Sequence, residues 1–296
     1  MKYDYDVAIL GGGSAGYAAA RTAAGAGLKT VVIEGGEEVG GLCILRGCMP
    51  SKALLYAAEV RHLARQGTTW GLKPGRIDFD FTKDMARKVA TIEDFASYRR
   101  QQLENGKFKL IRAKAMFANA HTLELKPLTR PNGHPLPFGR GEGRGEGKHP
   151  RLTAKHFVIA TGSVGAPPPG SAVKNIGYLT SDEALSLKKL PKSLIVLGGG
   201  AIACELAQFF VRFDVKVTMI QRSSRVLKEF DEDACEVVET VFRREGIKLF
   251  TDTKLIEARS NGKRKVIEFE HNGRRRRVEA DEVLFALGGG RLRRAA

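Results

Sequence analysis

Cysteine is scarce in this sequence, with four in 296 residues, and tryptophan occurs once. A chain of this length typically buries about three quarters of its unfolded surface, so no disulfide framework is needed for stability. No uninterrupted apolar run approaches the roughly 20 residues of a membrane span, and a soluble protein is expected. The N-terminus carries Asp4 and Asp6 where a secretory leader would carry positive charge. The expected location is therefore the cytoplasm, a reducing compartment in which a lasting disulfide serves catalysis rather than structure.

Acidic residues are also short in number: 33 Asp and Glu face 49 Lys and Arg, a formal charge of +16. The excess is spread along the chain, and its one dense run is Arg274 to Arg277. That run follows Asn272-Gly273, a strong two-residue hairpin signal, between KVIEFE and RRRRVEA. The arginines are expected to decorate an edge strand, where charge discourages aggregation. No nucleic-acid partner is expected.

Glycine, by contrast, is placed with care. The segment YDYDVAILGGGSAGYAAARTAAGAGLKTVVIEGG alternates an apolar run, a glycine turn, an alanine-rich helical stretch and a second apolar run ending at Glu34. Strand, tight turn, helix and strand make the dinucleotide-binding unit. Gly11, Gly13 and Gly16 would divide the work: one makes the turn, one lets backbone approach a pyrophosphate, and one lets helix and strand pack closely. Ser14 opens the helix, whose N-terminal N–H groups and dipole favour phosphate. Glu34, eighteen residues past Gly16, stands where a carboxylate accepts from an adenosine ribose.

The same rhythm recurs in SLIVLGGGAIACELAQFFVRFDVKVTMIQRSSR, with Gly198, Gly200 and Ala203 at the fingerprint positions. A second dinucleotide site is implied. Eighteen residues past Ala203 stands Gln221 rather than an acid, followed by Arg222 and Arg225. A carboxylate there would repel a ribose 2′-phosphate, whereas arginines pair with one. The second site is expected to prefer NADPH, with NADH also compatible with Gln221.

Between the repeats the pattern predicts an amphipathic helix from about Thr82 to Asn105 with Met85, Val89, Ile92 and Phe95 on one face. Residues 131–150 hold six glycines and four prolines and are expected to form a flexible loop. HFVIATGSVGAPPPG, residues 156–170, suggests a buried strand that leaves through Ala160-Thr161-Gly162 into a proline-rich crossover. DEVLFALG, near Asp281, suggests a further buried strand.

Residues 40–52 read GGLCILRGCMPSK, with Cys43 and Cys48 five apart. On a regular helix such residues lie about 8.7 Å apart between Cα atoms, beyond the roughly 4.4 to 6.8 Å of a disulfide. They can bond only where the backbone is distorted, and Gly47 supplies that freedom. Pro50 suits the first turn of a fresh helix through SKALLYAAEVRHLARQ. A helix N-terminus in general lowers thiol pKa values. Zinc would need further Cys or His ligands, and none stands at a suitable spacing. Two unbonded core thiols and a redox pair remain. Cys204 and Cys235 have no partner spacing and are expected in the core.

GGLCILRGCMPSK resembles the redox motif of the class I pyridine nucleotide-disulfide oxidoreductases, which include dihydrolipoamide dehydrogenase, glutathione reductase and mercuric reductase. The two fingerprints, the Ala160-Thr161-Gly162 segment and the basic turn at 222–225 fall in the order that family uses, and the likeness runs from residue 5 to about 288, apart from the loop at 131–150. It implies an α/β fold of two Rossmann-like dinucleotide-binding domains, the second inserted into the first, with a small β-meander. The implied boundaries are an FAD-binding domain over 1–165, an NAD(P)H-binding domain over 166–280, and a return strand of the FAD domain over 281–296.

By the same resemblance the chain is an NAD(P)H-dependent, FAD-containing oxidoreductase acting on a disulfide, dithiol or metal-ion substrate. FAD would be held by Gly11, Gly13, Ser14, Gly16, Glu34, Gly41, Thr161 and Gly162. NADP, or NAD, would be held by Gly198, Gly200, Ala203, Gln221, Arg222 and Arg225. A Cys43–Cys48 disulfide would take the electrons, with Cys48 the charge-transfer sulfur nearest the flavin and Cys43 the interchange sulfur that meets substrate. Lys52, one helical turn past Cys48, would stand beside the flavin, with Glu205 as its partner across the domains. Family members are homodimeric and continue into a dimerisation domain. The sequence holds no Gly-Asp dipeptide, and no histidine has a glutamate five residues later, the family's flavin-holding and acid-base features. A truncated or frame-shifted C-terminus is the expectation, and with it the alternative of a noncatalytic nucleotide-binding remnant.

Overall fold

The structure, a computed structural model, describes residues 2–73, 75–128, 150–165 and 176–291. The expected loop at 131–150 falls outside the described residues except for Pro150, as do the proline-rich stretch 166–170 and the tail 292–296. Two compact units are present: one is built from residues 1–45 and 92–164, and again from 291, and the other from 46–91 and 165–290. The first unit is discontinuous in sequence, with the second set between its parts.

The first unit starts with β1 (Tyr5–Leu10), α1 (Ser14–Gly25), β2 (Thr30–Glu34) and α2 (Leu42–Leu45). The chain from Cys48 to Arg65 forms α3 and that from Phe81 to Glu104 forms α4. Then come β3 (Lys109–Asn119), β4 (Thr122–Pro127), β5 (Arg151–Ile159) and the short β6 (Ser163–Gly165). β1 lies between β2 and β5, parallel to both, with Leu10 opposite Ile33 and Ile159. β2 pairs in parallel with the first half of β3. β3 then continues into an antiparallel meander with β4 and β5, which closes the five strands into a ring.

β1 is apolar on both faces because both are covered, as parallel strands require. Ala8 and Leu10 join Val31, Ile33, Ile111, Leu123 and Leu125 on one side. Val7 and Ile9 meet Ala20 of α1, Val32, Leu103 and Phe108 on the other. A fully buried aliphatic such as Ile9 contributes about 1.5 to 3 kcal/mol.

The second unit continues with α5 (Ser181–Ala184), β7 (Ser193–Leu197), α6 (Ala201–Arg212), β8 (Lys216–Ile220), α7 (Glu232–Arg244) and β9 (Lys248–Phe250). It ends with β10 (Thr253–Asn261), β11 (Arg264–His271), β12 (Arg274–Ala280), β13 (Glu282–Phe285) and β14 (Gly289–Arg291). The parallel sheet runs β13-β7-β8-β9, and β10-β11-β12 form a separate antiparallel sheet. Ile267 and Phe269 of that second sheet pack with Ile195, Leu197 and Val283. The expected hairpin is present: Asn272 and Gly273 both have positive φ, 51° and 68°, as a type I′ turn needs. Arg274 to Arg277 are exposed on β12, an edge strand.

Helices α3 and α6 pack through Leu54, Ala58, Leu206 and Phe210, and charged groups fasten the same pair. Lys52 pairs with Glu205 at 2.5 Å, Glu59 with Arg212, and Arg61 with Asp214 at 2.5 Å. Each pair is separated by 153 residues. The first two pairs join α3 to α6 and the third joins α3 to Asp214, two residues past the end of α6; the constant offset means that the two helices run parallel in fixed register. The buried Arg61 also donates to the Arg212 carbonyl and lies over the Phe79 ring, 4.5 Å from its centroid. Arg65 grips Asp214 through both terminal guanidinium nitrogens, at 2.6 and 3.0 Å.

Three expectations are corrected. Val89 and Phe95 of α4 are 58% and 43% exposed, while Lys88, Ala96 and Leu103 are the buried positions. Lys88 takes an inward position because its stem is buried while its amine donates to the Leu185 carbonyl at 2.6 Å. β5 is not buried along its length: Val158 and Ile159 are 37% and 64% exposed. β13, the strand expected after Asp281, pairs in parallel with β7 inside the second unit, and the chain rejoins the first unit only from residue 291. Among the described residues no helix is long and apolar enough to cross a membrane.

The Asp214 carboxyl is held below its ordinary value of 3.8, first by the hydrogen bond from Arg65 and then by Arg61, against the opposing effect of burial. A depressed carboxylate stabilises the fold above its unfolded pKa and loses that contribution as pH falls through the lower folded value. Asp214→Asn keeps the left-handed backbone at this position (φ 63°) and removes the charge together with one of the two acceptor oxygens. Because the side chain is half exposed, the loss is expected at about 1 kcal/mol or less at pH 7. Urea unfolding of both proteins should show the gap closing below pH 4.

Candidate functional site

In the first unit the turn from β1 to α1 is Gly11-Gly12-Gly13, and its glycines differ in what demands them. Gly11 has φ +105°, and a β-carbon there would overlap the carbonyl of Ala160 at the end of β5. A β-carbon on Gly16 would overlap the carbonyl of Gly11. Both positions are thus glycine because backbone packs on backbone. Gly13 is different: it is extended, caps α1, and a β-carbon there would meet only the Cα of Gly41, at an ordinary 3.5 Å. No side chain caps α1. The bare approach to its N-terminus is therefore not a need of the fold, and it is the shape a pyrophosphate fits.

Glu34 ends β2 and is almost fully buried. Its carboxylate accepts the Gly12 N–H at 2.7 Å and the Gly36 N–H at 2.6 Å. A carboxylate has about four acceptor positions, so two remain for ribose hydroxyls. Arg112 holds the following loop by donating to the carbonyls of Gly36 and Glu37, at 2.6 and 2.9 Å. The loop comes back onto the turn at Gly41, whose φ of +79° and close approach to Gly13 exclude any side chain. Ser14 is exposed at the start of α1, and Thr161 and Gly162 (φ +81°) follow directly on Ala160.

In the second unit the construction is repeated. Gly198 has φ +123°, and a β-carbon on it would overlap the carbonyl of Ala286, which follows β13 as Ala160 follows β5. Gly200 caps α6 with no side-chain cap, and a β-carbon on it would meet nothing within 4 Å. The third position is Ala203, fully buried, so α6 leaves room for one methyl group. Gln221 occupies the place of Glu34: a β-carbon on Gly199 would lie 2.9 Å from its side-chain amide carbon, as one on Gly12 would lie 3.0 Å from Glu34. Arg222 is exposed. Arg225 approaches Glu232 at 3.5 Å.

Cys43 lies half-buried on α2 in the first unit, and Cys48 is the exposed first residue of α3 in the second. The helix breaks between them at Gly47 (φ −129°, ψ −115°), as the spacing required. α3 begins at Cys48, three residues before the expected start, and carries no side-chain cap. The Lys52–Glu205 ion pair joins α3 to α6, with the side chains 59% and 34% exposed; both residues belong to the second unit rather than to different ones. Cys204 and Cys235 are buried. Burial, and then the neighbouring Cys235, push the Cys204 thiol up to about 12, so it stays protonated and unreactive. Among the described residues no group of three or more metal-ligating side chains occurs.

Two features were not foreseen from the sequence. One is the pair of strand-end carbonyls, Ala160 and Ala286, that fix the first glycine of each turn. The other is Glu239, a glutamate whose signal was its place between the buried Cys235 and Phe242 on α7.

The sequence profile described as pyridine nucleotide-disulphide oxidoreductase matches residues 5–293. A dihydrolipoyl dehydrogenase of Bacillus subtilis (strain 168) is 36% identical over 256 residues, covering 86% of this chain and 52% of that protein. A mercuric reductase of Bacillus cereus is 34% identical over 288 residues, covering 97% of this chain and 42% of the other. Among solved structures, the Cu(II) complex of the HOCl-induced flavoprotein disulfide reductase RclA from Escherichia coli superposes with a TM-score of 0.74 at 26% identity, covering 98% of this chain and 57% of that one. The chain spans about half the length of the curated relatives it matches.

The glycines can be separated by unfolding experiments. Gly16→Ala is expected to cost about 3 kcal/mol, because backbone must give way to the new methyl group. Gly13→Ala and Gly200→Ala are expected to stay within about 1 kcal/mol of the parent. Urea denaturation of the three variants checks the ranking.

Proposed function

The chain belongs to the pyridine nucleotide-disulphide oxidoreductase family, and from that premise we propose that it binds FAD on its first nucleotide fold and NADPH on its second, and that Cys43 and Cys48 pass the electrons to a disulfide, dithiol or metal-ion substrate. FAD, when bound, supplies hydride acceptance from the nicotinamide and delivery of an electron pair to sulfur. Glu34 accepts from the ribose hydroxyls with the lone pairs that Gly12 and Gly36 leave open. Gly13 and Gly200 let the two pyrophosphates reach the uncapped ends of α1 and α6.

The observation that carries this reading is the doubled turn in which the middle glycine is the one the protein itself does not need. One such turn is common; two, each set against a strand-end carbonyl and followed by an acid in one case and Gln221 with arginines in the other, match a flavin site and a separate nicotinamide site. The preference for NADPH rests on Arg222 and Arg225, which pair with a 2′-phosphate where Glu34's counterpart is uncharged.

At the sulfurs the step balances as a disulfide taking two electrons and two protons to give two thiols. Cys48 stands at the N-terminus of α3, where the helix dipole favours negative charge, and takes the role of the sulfur nearest the flavin. Cys43 is the interchange sulfur. Lys52, one turn along α3 and held by Glu205, keeps a positive charge near that helix end.

A second reading is a nucleotide-binding protein whose sulfurs take no electrons from the flavin. The purified protein is expected to be yellow and, with NADPH added anaerobically, to develop a long-wavelength thiolate-dependent absorption band. That band should vanish in Cys48→Ser and persist in Cys43→Ser. A colourless protein, or a band indifferent to Cys48, would overturn the first reading in favour of the second.

A further inference from the structure

Helix α7 presents Cys235, Val238, Glu239 and Phe242 at the spacing of one face, and Cys235 and Phe242 are buried. A carboxylate among them costs desolvation unless it is bonded, and Glu239, only 16% exposed, is bonded twice. One oxygen accepts the Val226 N–H at 3.0 Å, and the other accepts from Arg243 at 3.1 Å. From the same face the Cys235 thiol donates to the Leu227 carbonyl at 3.3 Å.

Val226 and Leu227 lie midway along the loop 221–231, between β8 and α7, that carries Arg222 and Arg225. Leu227 has φ 50°, a left-handed conformation that a γ-branched residue rarely adopts, and it is held there from three sides. Its N–H donates to the carbonyl of Gly199, in the glycine turn, at 2.6 Å. Its carbonyl is taken by Cys235, and the preceding N–H by Glu239. Val226 is fully buried. The start of the loop is tied through Gln221, whose side-chain amide reaches the Arg225 carbonyl at 3.5 Å. Strain retained only because its surroundings fix it is a mark of a functional turn.

We propose that Glu239 is a positioning residue for 2′-phosphate recognition. By holding the Val226 N–H it keeps the turn at Leu227 left-handed and so aims the basic loop at the ribose of the nucleotide on α6. The inference rests on the reading that Arg222 and Arg225 select NADPH. Arg225 is suited to being aimed rather than already engaged, since its Nε finds no partner among the described residues and its only ion pair is the long one to the exposed Glu232.

Adenosine 2′,5′-bisphosphate and adenosine 5′-monophosphate, titrated calorimetrically, test this without flavin turnover. Glu239→Met keeps the volume and removes the acceptor; it is expected to weaken the bisphosphate about tenfold and the monophosphate by no more than about twofold. Glu239→Gln, which retains an acceptor oxygen for Val226, is expected to restore most of the preference. Equal weakening of both ligands, or no change in either, would overturn the proposal. In the unsubstituted protein the bisphosphate should slow amide hydrogen exchange at 222–227 more than the monophosphate does; equal protection would also count against it, and needs no variant to fold. If the unsubstituted protein binds the two ligands equally, the arginine reading itself fails; a preference that survives Glu239→Met sinks only the role of Glu239.

Discussion

The contact on which the first nucleotide fold depends is between Gly16 and the carbonyl of Gly11. It draws the first turn of α1 against the strand end it leaves, and so fixes where the free N–H groups of that helix point. Any β-carbon at 16 pushes the helix away. The second fold meets the same place differently: Ala203 sits fully buried there, so α6 packs with a methyl group that α1 has no room for. The two turns separate two roles: the third position answers to helix packing, while the second leaves the helix end open.

Much of this was legible because turns encode themselves locally. Gly11, Gly13, Gly16 and Glu34 are placed by a spacing that only a strand-turn-helix-strand satisfies, and Asn272-Gly273 supplies the two positive φ values of its hairpin. What a local pattern cannot state is which partner covers an apolar run. Val158 and Ile159 look like core and are exposed; the strand at 282–285 looks like a return to the first fold and joins β7 instead. On α4 the expected face is only half right, with Met85 and Ile92 half-buried but Val89 and Phe95 exposed, for a related reason: the long stem of Lys88 can be buried while its amine finds a carbonyl. Glu239 was illegible because a charged residue on an apolar face is indistinguishable in sequence from one at its margin.

The four cysteines divide by environment rather than by spacing alone. Cys204 and Cys235 donate to backbone carbonyls inside the second unit, at 3.6 Å to Gly199 and 3.3 Å to Leu227. There a thiol serves as a small apolar group with one weak hydrogen bond, and the Cys204 pKa of about 12 removes it from thiolate chemistry. Cys48 alone among them is exposed, at an uncapped helix start.

That helix start is located by the register of α3 against α6. Two charged pairs between the helices, and a third from Arg61 to Asp214 just past the end of α6, repeat the same offset of 153 residues, so sliding α3 by one residue would break all three. Arg61 is buried and Arg212 nearly so, and separating either from its partner would leave a desolvated charge. Lys52 and Glu205 are far more exposed and add little to stability. Their pairing is therefore better understood as the outcome of a register enforced two turns away than as its cause. The buried arginines at one end of the helix pair set where the lysine stands at the other, one turn from Cys48 and beside the first turn of α6.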